Sequence, residues 1–125
     1  MKTFIDANVL LEVLLAGRKR AATATASLRR IDDGAVSPLT VHLYVYFGRK
    51  EGYTIDELLQ DLQNFRTVTM DAAVVDWARK NMRDNDFEDA LQVASAVLDG
   101  CERFITFDTK LAKQYGDVLD IKLLR

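Results

Sequence analysis

Two hydrophobic periods alternate along this chain. Short apolar runs of strand length fall at residues 2–5, 35–37, 67–69, 103–106 and 120–123. Between them, apolar side chains return every third or fourth residue, the spacing of one helix face. Val9, Leu10, Val13 and Leu14 predict a helix from about Asn8, with Gly17 as its end. Ala21, Ala24, Leu28 and Ile31 predict a second over 20–33, stopped by Gly34. Residues 39–50 read as an aromatic-rich helix. Thr54 and Glu57 have capping-box spacing ahead of Ile55, Leu58, Leu59 and Leu62. Asp71 caps a helix bearing Val74, Val75, Ala78 and Met82. Asp86 caps another, in which Phe87, Ala90, Leu91, Ala94, Val97 and Leu98 keep the helical period. Residues 109–115 form the last. Strands separated throughout by helices predict an α/β fold, a mostly parallel sheet with helices on both faces.

Composition narrows the class. A chain of 125 residues can bury a core without staples, and with no linker, repeat or low-complexity tract it is expected to form one domain over residues 1–125. Pro38 is the only proline and glycine is sparse, which favours helices. Net charge is −2, so no global basic field draws the chain to nucleic acid. Arg18-Lys19-Arg20, Arg29-Arg30 and Arg49-Lys50 are local basic clusters that read as solvated helix ends. Cys101 is the only cysteine and His42 the only histidine, which argues against a disulfide, a zinc site or a Cys-His nucleophile. No stretch has transmembrane length and the N-terminus lacks a signal peptide's apolar region, so the expected location is cytoplasmic.

The candidate chemistry lies in the acids. Asp6 ends the first apolar run and Asp108 ends the fourth; Asp86 and Asp89 flank the start of the helix between them. A carboxylate just past a strand's carboxyl end points into the crevice where open α/β sheets bind ligands. Strand-to-helix turns also select Asp as a cap, and each acid alone has that structural role available. Together, three carboxylates brought close repel one another unless a cation neutralises them, and hard oxygen donors suit Mg²⁺ or Mn²⁺.

Three segments then resemble one family. Phe4-Ile5-Asp6-Ala7-Asn8-Val9-Leu10-Leu11 resembles the opening signature of PIN domains. Asp86-Phe87-Glu88-Asp89-Ala90-Leu91-Gln92-Val93-Ala94-Ser95-Ala96 is similar to their acidic helix, and Phe104-Ile105-Thr106-Phe107-Asp108 to their later strand end. The trio is in order and covers nearly the whole chain. The resemblance implies an α/β/α sandwich with Asp6, Asp89 and Asp108 as catalytic and metal-binding acids. Asp86, beside Asp89, is a candidate additional ligand. Asn8 and Thr106, as polar neighbours of the acids, suit supporting or phosphate-contact roles, and a structural role stays equally open. Free-standing domains of this size resemble VapC-type ribonuclease toxins of prokaryotic toxin–antitoxin pairs. The implied function is Mg²⁺- or Mn²⁺-dependent endonucleolytic hydrolysis of RNA, with an antitoxin and a second copy of the chain as partners.

One position departs from the family. The segment Ser37-Pro38-Leu39-Thr40-Val41-His42-Leu43-Tyr44 places Leu43 where the family usually carries Glu. Asp86, Glu88 and Glu12 are the candidates to supply the missing charge. Without it, the alternative is a weak or inactive PIN fold that binds RNA or protein. A phosphoacceptor domain is the other rival; the residues it needs beside the first Asp are absent, since Asn8 stands two residues on. Tyr44, Tyr46 and Phe47 crowd one helix, so some of them face outward and suit a partner surface. Trp77 reads as core and His42 as a helix residue without a triad.

Overall fold

The computed structural model describes residues Met1 to Arg125. Five strands, β1 (Lys2–Ile5), β2 (Asp33–Val36), β3 (Arg66–Thr67), β4 (Arg103–Thr106) and β5 (Asp120–Leu123), form one sheet in the order β3-β2-β1-β4-β5. Every pairing is parallel. Seven helices connect them: α1 (Ala7–Leu14), α2 (Ala21–Arg29), α3 (Pro38–Lys50), α4 (Ile55–Asp61), α5 (Ala72–Asn81), α6 (Phe87–Leu98) and α7 (Thr109–Tyr115). No helix is long and apolar enough to cross a membrane.

Strand alternation divides the core. Ile5, Val36 and Ile105 face one side of the sheet and pack with Val9, Leu10, Ala24, Tyr44 and Leu58 from α1 to α4. Phe4, Ala35 and Phe104 face the other, against Val93 and Ala96 of α6 and Leu111 and Tyr115 of α7. Phe4 and Phe104 stack with centroids 5.1 Å apart. A third cluster joins α5 to α6 through Val74, Ala78, Ala90 and Ala94. Helices on both faces of a parallel sheet are the expected α/β/α sandwich.

Boundaries differ where tertiary pairing outweighs local pattern. The helix expected over 20–33 ends at Arg29, because Asp33 pairs with Lys2 in the sheet. Gly34, expected to stop that helix, is a strand residue. A Cβ there would meet Phe65 Cδ1 at 2.8 Å, Ile5 Cδ1 at 3.1 Å and Ile31 Cγ2 at 3.2 Å. Ser37, expected at a strand end, caps α3 by accepting from the Thr40 N–H at 3.0 Å. The strand expected at 67–69 is Arg66–Thr67, with one further bond from the Val68 N–H to the Val36 carbonyl. The Thr54–Glu57 capping box is present in both directions. On α4, Leu58 and Leu62 are buried while Ile55 and Leu59 are exposed. Trp77 is half-buried between two clusters.

Gly34→Ala should lower stability by about 1–3 kcal/mol, the usual cost of overpacking a filled core. Urea denaturation checks this, and Gly34→Ala/Phe65→Leu should recover part of the loss.

Candidate functional site

The strand order reverses at β1. From β1 the chain passes to β2 on one side, and β4 lies on the other, so the crevice beyond the carboxyl ends of β1 and β4 is the switch point where such sheets bind ligands. Asp6 and Asp108 stand on either side of it. Asp6 occupies the N-cap position of α1, yet its side chain makes no cap bond. Its Oδ2 instead accepts from Thr106 Oγ1 at 2.8 Å and Asn8 Nδ2 at 3.3 Å. Thr106 Oγ1 also accepts from Asn8 Nδ2 at 3.1 Å and the Asp108 N–H at 3.0 Å. Asn8 Oδ1 accepts from the Phe107 N–H at 3.1 Å. These bonds tie the ends of β1 and β4 together around the Asp6 carboxylate.

Asp86 and Asp108 do serve as caps. Asp86 Oδ1 accepts from the Asp89 N–H at 3.0 Å, and Asp108 Oδ1 from the Leu111 N–H at 3.1 Å. The segment before α6 holds Asp84 and Asn85 in the left-handed region, at φ 57° and 55°. It is moored to α7 through the Lys110–Asp84 and Arg83–Asp117 ion pairs and a bond from the Arg83 N–H to Tyr115 Oη. That mooring brings the start of α6, with Asp86 and Asp89, towards Asp108.

The electrostatics record the approach. Asp6, 9% exposed, is raised to about 6, chiefly by burial and further by the Asp108 charge; the Thr106 hydroxyl and the Ala7 and Asn8 amides oppose the rise. Asp89 is raised to about 7, first by burial and then by Asp86, Asp108 and Asp6. In this side-chain arrangement no three acidic groups stand close enough to enclose one ion. The donor set nevertheless fits a hard divalent cation: carboxylates from separate chain segments border one crevice, and the charge of Asp108 raises the proton affinity of Asp6 and Asp89, a strain that a cation relieves.

Two cations stand at the rim, and the sequence reading had not placed either in the site. Arg20 lies over the Phe107 ring, its guanidinium carbon 4.2 Å from the centroid. Glu12, buried on α1, holds it: Glu12 Oε1 accepts from the Arg20 N–H at 3.0 Å and lies 3.6 Å from Nε. Glu12, a candidate for the missing family acid, is thus engaged by Arg20. Lys110 carries a raised pKa from Asp84, with smaller contributions from Asp86 and Asp89. Its only sequence signal was its place two residues after Asp108. Leu43 is half-buried, one turn along α3 from Thr40, and packs into none of the three core clusters. Glu88 is exposed and His42 is exposed. Cys101 is buried and its thiol is pushed up to about 12 by burial and the Asp99 charge, which leaves little thiolate.

A buried amide braces the two helices that open onto the crevice. Gln92 Oε1 accepts from Ser37 Oγ at 2.5 Å, and Gln92 Nε2 donates to Thr40 Oγ1 at 2.8 Å. Gln92 lies one turn beyond Asp89, so α6 is fixed against the N-terminus of α3 directly below the acids.

The PIN domain family model matches residues 3–117. The chain belongs to the PIN domain family. Solved structures share the fold at low sequence identity. A toxin–antitoxin complex from Klebsiella pneumoniae has a TM-score of 0.74 at 20% identity, over 96% of this chain and 95% of that one. VapC20 of Mycobacterium tuberculosis, described as a sarcin-ricin loop cleaving toxin, has 0.73 at 17%, over 89% and 93%. VapBC2 of Rickettsia felis, bound to a promoter DNA fragment, has 0.68 at 11%, over the whole of both chains. No curated protein sequence matches the chain.

Asp6 and Asp89 hold protons more tightly folded than unfolded. Their contribution to stability is complete below the ordinary value of 3.8 and is lost as pH rises through about 6 for Asp6 and about 7 for Asp89. In EDTA the protein should therefore melt lower at pH 8 than at pH 5. Asp6→Asn should flatten this slope and raise stability at pH 8, by an amount on the order of 3 kcal/mol at most. Melting curves across pH 4–8 test it.

Gln92→Leu should cost about 1–3 kcal/mol, because Ser37 and Thr40 each lose one of their buried bonds and keep only those to each other. Chemical denaturation measures that loss.

Proposed function

We propose that this PIN domain, formed by residues 1–125, is a Mg²⁺- or Mn²⁺-dependent endoribonuclease, the toxin of a type II toxin–antitoxin pair. The observation that carries the reading is that Asp6 and Asp89, from separate chain segments at one switch point, both gain proton affinity and both feel the charge of Asp108. Those three would hold the ion, with Asp86 beside Asp89 as an additional oxygen donor. When bound, the ion supplies a more acidic water and neutralises charge on the phosphoryl group. The chain's own groups do the rest. Thr106 and Asn8 hold the Asp6 carboxylate in place, and Arg20 and Lys110 offer cationic contacts to the RNA backbone around an otherwise acidic crevice.

Leu43 favours a second reading, a PIN fold that binds RNA with little or no cleavage. With Glu12 occupied by Arg20, the carboxylate charge is limited to Asp6, Asp86, Asp89 and Asp108. Assembly belongs to the same proposal. A groove of about 380 Å³ among α1, α2, α3 and the segment after α4 is lined by Leu10, Val13, Leu14, Leu28, Leu62 and Phe65. It suits an apolar segment of an antitoxin. Tyr46, exposed on α3, and half-buried Phe47 suit a second copy of the chain.

Titration calorimetry with Mn²⁺ should show binding that Asp6→Asn and Asp108→Asn each weaken strongly. Both variants should lose roughly a hundredfold or more of Mg²⁺-dependent cleavage of a structured RNA, since the ion supplies several kcal/mol of charge stabilisation. Leu43→Glu, at a half-exposed position, should fold, tighten Mn²⁺ binding and raise cleavage. Wild-type cleavage that survives both EDTA and Asp6→Asn would exclude this mechanism.

Val13→Asp, placed at an exposed lip of the groove, should leave the melting temperature nearly unchanged. It should abolish co-purification of a small protein expressed from the native operon. Retention of that protein by the variant would remove the groove from the assembly.

A further inference from the structure

The opposite ends of β1 and β4 frame a second polar cavity. It measures about 120 Å³ and lies between the C-terminal end of α2 and the sheet. Its polar lining comes from Thr3, Ser27, Arg30, Asp32, Arg103 and Lys122. The sheet register explains the convergence. Thr3 is paired with Arg103, and Lys122 with Ile105, so the side chains of all four project from one face. On that face they meet the last turn of α2 and the residues just after it.

Three cations and one acid line this space. Arg103 is partly used, its Nε donating to Asp120 Oδ2 at 3.0 Å. Arg30 and Lys122 take part in no ion pair. Thr3 is only 6% exposed, yet its hydroxyl bonds to no protein group. That hydroxyl is also not sealed from solvent, and the cavity is what it opens onto. A hydroxyl on the wall of a polar cavity, bonded to no protein group, is free to donate to a ligand that displaces the solvent there. Arg30 and Lys122 are exposed and unpaired, so the cations of this cavity outnumber its one acid, Asp32, and its field favours an anion.

We propose that this cavity is a phosphate-binding site, distinct from the carboxylate centre. A phosphate offers several acceptor oxygens in a compact tetrahedron, which a guanidinium fork, an ammonium and a hydroxyl can share. A carboxylate offers its oxygens in one plane and a single negative charge, so it meets donors arriving from three sides less well than a tetrahedral, more highly charged phosphate. Thr3 lies three residues before Asp6 on the same strand, roughly 10 Å away at about 3.3 Å per residue. The site therefore stands at the far end of β1 from the acids and holds whether or not the chain cleaves RNA. The phosphate is either a link of a polynucleotide backbone or a free phosphate or mononucleotide.

The test is NMR of the ¹⁵N-labelled full chain in EDTA, titrated with inorganic phosphate and, separately, with a single-stranded oligoribonucleotide. Phosphate should shift the amides of Thr3, Arg30, Ile31 and Arg103 saturably. Arg30→Ala and Lys122→Ala should each weaken that binding about tenfold, the worth of one charge-assisted contact. Thr3→Val, nearly isosteric, should weaken it as well, and Asp6→Asn should leave it unchanged. An oligonucleotide that shifts the same amides and is displaced by phosphate identifies the backbone as the source. Phosphate binding without that competition identifies the free anion or mononucleotide. Absence of saturable phosphate shifts overturns the proposal. So do equal shifts from sodium chloride at matched ionic strength, or shifts unaltered in Arg30→Ala/Lys122→Ala.

Discussion

A single hydroxyl governs the geometry of the crevice. A threonine hydroxyl has one proton to give and two lone pairs to receive. Thr106 uses all three: it donates to Asp6, and accepts from Asn8 and from the Asp108 backbone. The residues so joined lie about a hundred positions apart in the chain. Without this partner Asp6 would lose the strongest of the bonds that favour its charged form, and Asp108 would lose a bond to its backbone at the start of α7. The crevice is therefore rigid on its β1–β4 side. On its α6 side it rests on the buried Gln92 bonds to Ser37 and Thr40, while the segment that leads into α6 is held by surface salt bridges, Lys110–Asp84 and Arg83–Asp117, which are individually weak.

The architecture could be read from the alternation of two hydrophobic periods, because each element carries its own pattern. Alternating Phe4/Ile5 and Phe104/Ile105 reach opposite cores as the sheet requires. Errors clustered where a residue's role is decided by a neighbour distant in sequence. Gly34 looks like a helix stop locally, and is a strand residue because Ile5, Ile31 and Phe65 leave no room for a side chain. The exposed sides of α4 and α5, with Ile55, Leu59 and Val75, read as buried stripes. Periodicity alone does not say how wide a stripe the fold covers.

The acids were legible because strand ends and caps have sequence signatures. Their proton affinities were not, since those follow from burial and from which acid faces which. Arg20 was legible only as part of a basic cluster. Its place over Phe107 needs the turn between α1 and α2 and the buried Glu12 carboxylate, neither of which any local pattern specifies. Leu43 could be recognised as a departure only against the family pattern; the structure adds that it sits outside the core.

The edge strand β3 has two residues, Arg66 and Thr67, both exposed. A further strand laid beside it would gain only a bond or two of backbone pairing, so this margin of the sheet is a poor template for growth. Association on that side must be read out by side chains instead of by main-chain hydrogen bonds. The chain is thereby protected from indiscriminate polymerisation through its β3 margin by the brevity of one element.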